Sequence, residues 1–173
     1  MMKSYQRKIE ERVSKILKDC KISEAPVPIN SIAEQMGLTI KPYDLGVNVS
    51  GVLVINQNTA TIGINPLDPP VRQRFTIAHE LGHYELHRDK GDLFVDKQRI
   101  LFRDENSSLG ELRNEKEANA FAAAILMPEN LMNKEIKKKH LNVSDEEAVK
   151  KLAKTFGVSE IAMTFRITNL NLL

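Results

Sequence analysis

An α+β fold, with a small β-hairpin or sheet packed on several helices, is what this sequence predicts. Amphipathic helical runs stand at both ends of the chain, and two β-rich runs, 50–55 and 59–64, follow one another across a short polar gap. Between them and the C-terminal helices lies a run after Pro69-Pro70 with apolar residues at helical spacing. At 173 residues, 42% hydrophobic and 28% charged, the chain has room for one domain with a proper core. No repeat, low-complexity tract or linker interrupts it, so residues 1–173 are expected to form a single domain.

In chain order, residues 5–20 place Ile9, Val13, Ile16, Leu17 and Cys20 on one helical stripe. Ala25-Pro26-Val27-Pro28 breaks that helix. A short helix follows, with Ser31 and Glu34 spaced as a capping box and Gly37 as its stop. Leu38 to Tyr43 alternates like a strand that Pro42 ends or confines to an edge. The runs 50–55 and 59–64, joined by Asn56-Gln57-Asn58, read as a hairpin, and Asn65 to Pro70 as a loop. Residues 88–109 are the least regular, with turn signals at 89–92 and 104–108. A long helix from about Leu109 to Met127 stops at Pro128, and a short one seeded by Leu131, Met132 and Ile136 ends in Lys137-Lys138-Lys139-His140. Ser144 and Glu147 form a second capping-box spacing, opening a helix that runs to Gly157, and a last amphipathic helix runs from Ser159 to about Leu170. The stretch 152–159 has the outline of a helix-turn-helix, but Glu160 and Ile161 stand where a DNA-reading helix needs basic and polar groups. A plain helix–Gly–helix corner is the better reading.

The chemistry sits in His79-Glu80-Leu81-Gly82-His83. On a helix, His79 and His83 project from one face a turn apart and can close on a single tetrahedral ion. Glu80 points beside them, where it can take a proton from a metal-bound water. Val71, Phe75, Ala78, Leu81 and Gly82 give the helix its apolar surface, and Gly82 in a helix interior implies close approach of another element. A catalytic zinc of this kind needs a third protein ligand, commonly a carboxylate. Glu115 and Glu117 are the candidates, about 200° apart around a helix axis, so only one can face the ion. Glu115 shares a small-residue face with Ala118, Asn119 and Ala122, and the Asn119 amide can accept the free imidazole N–H of a ligating histidine. Glu117 shares its face with Phe121 and Ala124. Glu115 is therefore the chosen ligand.

Arg74-Phe75-Thr76-Ile77-Ala78-His79-Glu80-Leu81-Gly82-His83, followed by Glu115-x-x-Ala118-Asn119-x-Phe121-Ala122 and Ile125-Leu126-Met127-Pro128, resembles the ImmA/IrrE family of metallopeptidases. The resemblance runs from about Ile32 to the closing Val158-Ser159 helix. It implies a zincin-like core, with His79, His83 and Glu115 as ligands of one Zn2+ per chain and Glu80 as the base. It also implies a protein substrate, a transcriptional repressor or regulator of a mobile element or stress response. All four motif positions match. An N-terminal helix-turn-helix, fused in longer members, has no counterpart here. The expected function is zinc-dependent hydrolysis of a peptide bond in such a substrate. The alternative is a non-proteolytic regulator with structural zinc that binds a repressor or DNA. Glu80 has no purpose in such a site, and structural sites close with a fourth ligand, often Cys, whereas Cys20 lies in a remote helix.

Other residues take lesser roles. His87 sits about 6 Å further along the helix axis than His83, too far for the same ion, and reads as a helix-end histidine or one supporting the ligands. His140 follows three lysines and reads as solvated. Tyr84, Tyr43 and Arg74 are open candidates for an oxyanion donor. Met127, Met132 and Met163 read as core fillers, and the edge of the Val52–Ile64 hairpin as a place where an extended substrate can add. A net charge of +2 gives no ground for a nucleic-acid or membrane partner. One cysteine permits no internal disulfide and suits a reducing compartment. No apolar run approaches the roughly 20 residues of a membrane span, and the first residues lack a signal peptide's apolar segment. A cytoplasmic location is expected.

Overall fold

The structure, a computed structural model, describes residues 4–57, 59–90, 93–97 and 109–172. The chain forms two compact units, one built from Ile29–Ala122 and the other from Met1–Pro28 with Ala123–Leu173.

The first of these units contains a mixed sheet beneath the motif helix. Helix α2 here denotes Ile29–Gln35, since α1 (Ser4–Asp19) precedes it in the chain. Strands β1 (Leu38–Pro42), β2 (Val49–Asn56), β3 (Thr59–Ile64) and β4 (Leu93–Lys97) lie in the order β1-β3-β2-β4. The expected hairpin is present: Asn56 pairs with Thr59 and Gly51 with Ile64, antiparallel. Leu53 and Ile62, directly opposite one another, are fully buried. β1 runs parallel to β3 and ends at Pro42 on the sheet edge, where a missing N–H costs no ladder bond.

Several expectations are corrected. Both hairpin strands are interior, because β1 covers β3 and β4 covers β2; among the described residues the edges are β1 and β4. The hairpin therefore offers no edge for strand addition. β4 falls inside the stretch read as irregular, while the turn signals at 91–92 and 104–108 lie outside the described residues. The helix assigned a Ser31 cap begins three residues earlier than that cap requires, at Ile29 after Pro28, because burying Ile29, Ile32 and Ala33 decides its start. Gly37 does end that region, at φ +86°.

Helix α3 (Pro70–His87) lies on β2 and β3 and carries the motif. Pro69 stands at its N-cap with Pro70 as first residue. The loop that delivers it is organised by the buried Asn65. Its Nδ2 donates to the carbonyls of Gly46 (2.8 Å) and Val49 (3.2 Å), and its Oδ1 accepts from the Leu67 amide at 3.0 Å. Arg72 Nε donates to Ser50 Oγ at 3.0 Å, tying the first turn of α3 to β2. Gly51 lets that strand approach: a Cβ there would overlap Thr76 Cγ2 and sit 3.3 Å from Glu80 Oε1. From Thr76 to His83 every residue of α3 is buried, whereas Val71, read as part of the apolar face, is exposed.

The other unit is helical. α1 buries Ile9, Val13, Ile16 and Leu17 of the predicted stripe, while Cys20, its last member, lies just past the helix end and is half-buried. The later part of α4 (Leu109–Leu126), α5 (Glu129–Lys139), α6 (Glu146–Phe156) and α7 (Glu160–Asn169) contribute Ile125, Leu126, Met132, Leu152, Phe156, Met163 and Ile167 to its core. Each such side chain contributes about 1.5–3 kcal/mol by leaving water. Met127, Met132 and Met163 are core residues, and the exposed His140 caps α5 in the left-handed region. α6 starts one residue later than the Ser144 capping box requires: Asp145 is its N-cap, with no side-chain cap bond. Gly157 at φ +64° makes the corner into α7, whose N-cap Ser159 accepts from the Ala162 amide at 3.2 Å.

Candidate metal centre

Helical spacing brings His79 and His83 to one face of α3, and both rings are buried. Their Nε2 atoms lie 3.0 Å apart. Helix α4 brings Glu115 to the same point: its Oε2 is 3.3 Å from His79 Nε2 and its Oε1 is 3.1 Å from His83 Nε2. Gly82 makes this approach possible. A Cβ there would stand 3.2 Å from the Cα and carbonyl oxygen of Ala118 and from Phe121 Cβ, so close that the neighbouring helix would have to give by a few tenths of an ångström. The close approach inferred from Gly82 is thus that of α4.

Among the described residues, His79, His83 and Glu115 form a group of donors that can hold a metal ion, all within 4.8 Å of one another. Their spacing suits a small ion. Ligands at about 2.0–2.1 Å from a tetrahedral centre lie about 3.3 Å from each other, and the three separations here are 3.0, 3.1 and 3.3 Å. Two imidazoles and one carboxylate form the donor set of an open catalytic zinc site. Partial burial pushes the Glu115 carboxyl up, but hydrogen bonds and charge from His79 and His83 outweigh it and bring it down to about 2. The carboxylate is thus ionised at neutral pH, as a ligand must be.

The remaining ring nitrogens are also engaged. His79 Nδ1 is 3.1 Å from Asn119 Oδ1, the acceptor position anticipated for that amide. If the Nε2 lone pair serves an ion at the cluster, the proton is left on Nδ1, where Asn119 Oδ1 is placed to accept it. His87 is buried; its Nδ1 lies 3.3 Å from His83 Nδ1, on the side of that ring away from the cluster. Its Nε2 is 3.0 Å from Glu117 Oε2, and Arg113 Nε donates to Glu117 Oε1 at 2.8 Å. Glu117 is therefore more than the charged helix start read from its sequence neighbours: Arg113 and His87 hold its carboxyl below the usual range against the opposing effect of burial. Phe94 on β4 stacks on the His83 ring, with centroids 4.7 Å apart and planes 22° apart. Sequence reasoning missed Phe94, whose only signal was the short apolar run Leu93-Phe94-Val95.

Glu80 is fully buried on the same helix, beneath the close pass of β2 at Gly51. Of the oxyanion candidates, Tyr84 lies under the Arg88 guanidinium, 5.3 Å from its ring centroid. Tyr43 packs against the face of Gly63, and burial lowers the pKa of Arg74.

Comparison with known proteins agrees with the motifs. The model of the IrrE N-terminal-like domain, Peptidase_M78, matches residues 33–168. "Uncharacterized immunity region protein 2" of Bacillus phage phi105 is 27% identical over 121 residues, covering 70% of this chain and 69% of that protein. A solved structure titled "Mycobacterium tuberculosis transcriptional regulator" shares the fold with a TM-score of 0.62 at 15% identity over 93% of this chain. The chain spans 46% of the length of that regulator. With four-fifths of its length matched by the family model and an α+β core that carries both motifs, the chain belongs to the ImmA/IrrE family, the Peptidase_M78 group of IrrE N-terminal-like domains.

Proposed function

We propose that this protein is a zinc-dependent endopeptidase acting on a protein substrate, a transcriptional repressor or regulator, within a single domain over residues 1–173. The observation that carries the reading is the convergence of His79, His83 and Glu115 with Glu80 buried on the same helix. The family match crosses from one compact unit into the other, which supports one functional domain. The phage origin and immunity-region name of the curated relative favour a regulatory substrate in a mobile element. No described helix is long and apolar enough to cross a membrane. With a single cysteine and a regulatory substrate, we place the activity in the cytoplasm.

His79, His83 and Glu115 would hold one zinc ion per chain. When bound, zinc supplies Lewis-acid activation of a water and of the scissile carbonyl. Glu80 accepts the proton of the attacking water and returns it to the leaving amine. Asn119 keeps the His79 ring turned so that its Nε2 lone pair faces the cluster. β4, an edge strand among the described residues, carries Phe94 against His83, and an extended substrate adding to that edge would run beside the centre.

The test measures zinc uptake and the cleavage of a candidate repressor by the unaltered protein and by variants. Glu80→Gln is expected to keep its zinc while cleavage falls by about 10² or more. Normal cleavage by Glu80→Gln would remove Glu80 from the reaction. No zinc uptake by the unaltered protein would remove the centre itself.

A further inference from the structure

We infer that His87 and Glu117 form an orienting pair that sets the tautomer and ring position of His83. The inference rests on the proposed zinc centre and concerns residues outside its ligand set.

The hydrogen-bond chain admits one consistent arrangement of protons. His83 Nε2 faces Glu115 Oε1 and His79 Nε2, so its lone pair must stay available there when an ion is held. Its proton then sits on Nδ1, 3.3 Å from His87 Nδ1. His87 Nδ1 has to accept that bond, which puts the His87 proton on Nε2. From there it donates to Glu117 Oε2 at 3.0 Å, and Arg113 Nε closes the chain on Glu117 Oε1 at 2.8 Å. A carboxylate can only accept, so Glu117 excludes the other His87 tautomer, the one that would turn an N–H toward the N–H of His83. Phe94, stacked on the His83 ring, limits its tilt but supplies no acceptor.

The two ligand histidines are thus oriented differently. His79 donates directly to Asn119, whereas His83 is held through a second imidazole that is itself held by a carboxylate. The histidine at the end of α3 and the glutamate two residues from the ligand on α4 both gain a purpose. One turn of α3 separates His83 from His87, and α4 brings Glu115 to the first and Glu117 to the second. His87 and Glu117 are positioning residues, acting on zinc through His83.

The pair predicts measurable changes in zinc affinity, read by competition with a chelator on the full chain. His87→Phe keeps a buried ring but leaves the His83 Nδ1–H without its acceptor, and is expected to weaken zinc binding by about 10–100-fold. His87→Asn, whose side-chain oxygen can take the place of Nδ1, should recover much of that loss. Glu117→Leu should weaken binding, and Glu117→Gln less so because its amide oxygen can still accept. Affinity for zinc within twofold of the unaltered protein in His87→Phe, or no recovery in His87→Asn, would overturn the inference while leaving the zinc centre standing. Nitrogen-15 spectra of the unaltered, zinc-loaded protein test it without a variant: His87 should be the Nε2–H tautomer and His83 the Nδ1–H tautomer. A His87 Nδ1–H tautomer would overturn it. A protein that takes up no zinc would overturn it together with the proposed function.

Discussion

Two polar clusters built around buried side chains, one in each compact unit, make different use of charge. In the helical unit, Arg166 is buried and its donors are consumed locally: Nη1 and Nη2 grip both oxygens of Glu10 at 2.6 and 3.0 Å, and Nε donates to the Met127 carbonyl at 2.9 Å. The fork geometry is bidentate and the partners close on each other. Around α3, by contrast, His79, His83 and Glu115 turn acceptor atoms toward one shared point, while the opposite sides of both rings are tied to Asn119 and His87. A closed cluster holds helices together. An open one, with its lone pairs converging and its outer edges fixed, is arranged to receive a cation.

The largest expected effect separates these roles at once. His83→Ala removes a donor and should abolish zinc binding and peptide hydrolysis together, checked by metal analysis and a cleavage assay, with circular dichroism reporting that the helices remain. Breaking the closed cluster should do the reverse. Arg166→Met leaves Glu10 and the Met127 carbonyl without their donors and is expected to destabilise the fold by about 3–5 kcal/mol, measured by urea unfolding. Restoring balance with Glu10→Leu in the same chain should recover a good part of that loss. Gly82→Ala is the smallest and bears on both packing and site. Helix propensity favours alanine by about 1 kcal/mol, yet the new Cβ meets Ala118 and Phe121 at 3.2 Å, and overpacking costs about 1–3 kcal/mol. The balance should be a loss of about 1 kcal/mol in unfolding, accompanied by weaker zinc binding as α4 is displaced.

The sequence was most legible where one physical rule dominated. The motif helix and its start could be read because spacing, Pro69-Pro70 and the two histidines all point to a helix beginning at Pro70. The hairpin was legible because its β-rich runs are separated by polar residues and pair in the register that buries Leu53 against Ile62. The capping-box spacings misled at Ser31 and Ser144, where burial of the helix face and Asp145 decide the boundaries instead. β4 was hidden because only three apolar residues stand between Asp92 and Asp96, too few to show alternation, and its pairing to β2 is a tertiary fact. The His87–Glu117 contact spans 30 residues and the Arg166–Glu10 pair 156, so neither leaves a local trace. Asn119 could be anticipated because it lies one helical turn from Glu115. Glu117 could not, because its partner sits at the far end of another helix.

The choice between the two glutamates of α4 is the central claim, and zinc affinity measured side by side for Glu115→Ala and Glu117→Ala tests it most directly. Glu115→Ala removes a donor atom and should all but eliminate binding; Glu117→Ala acts only through His87 and His83 and should weaken it by about 10–100-fold. Retention of zinc by Glu115→Ala alongside its loss from Glu117→Ala would contradict the account.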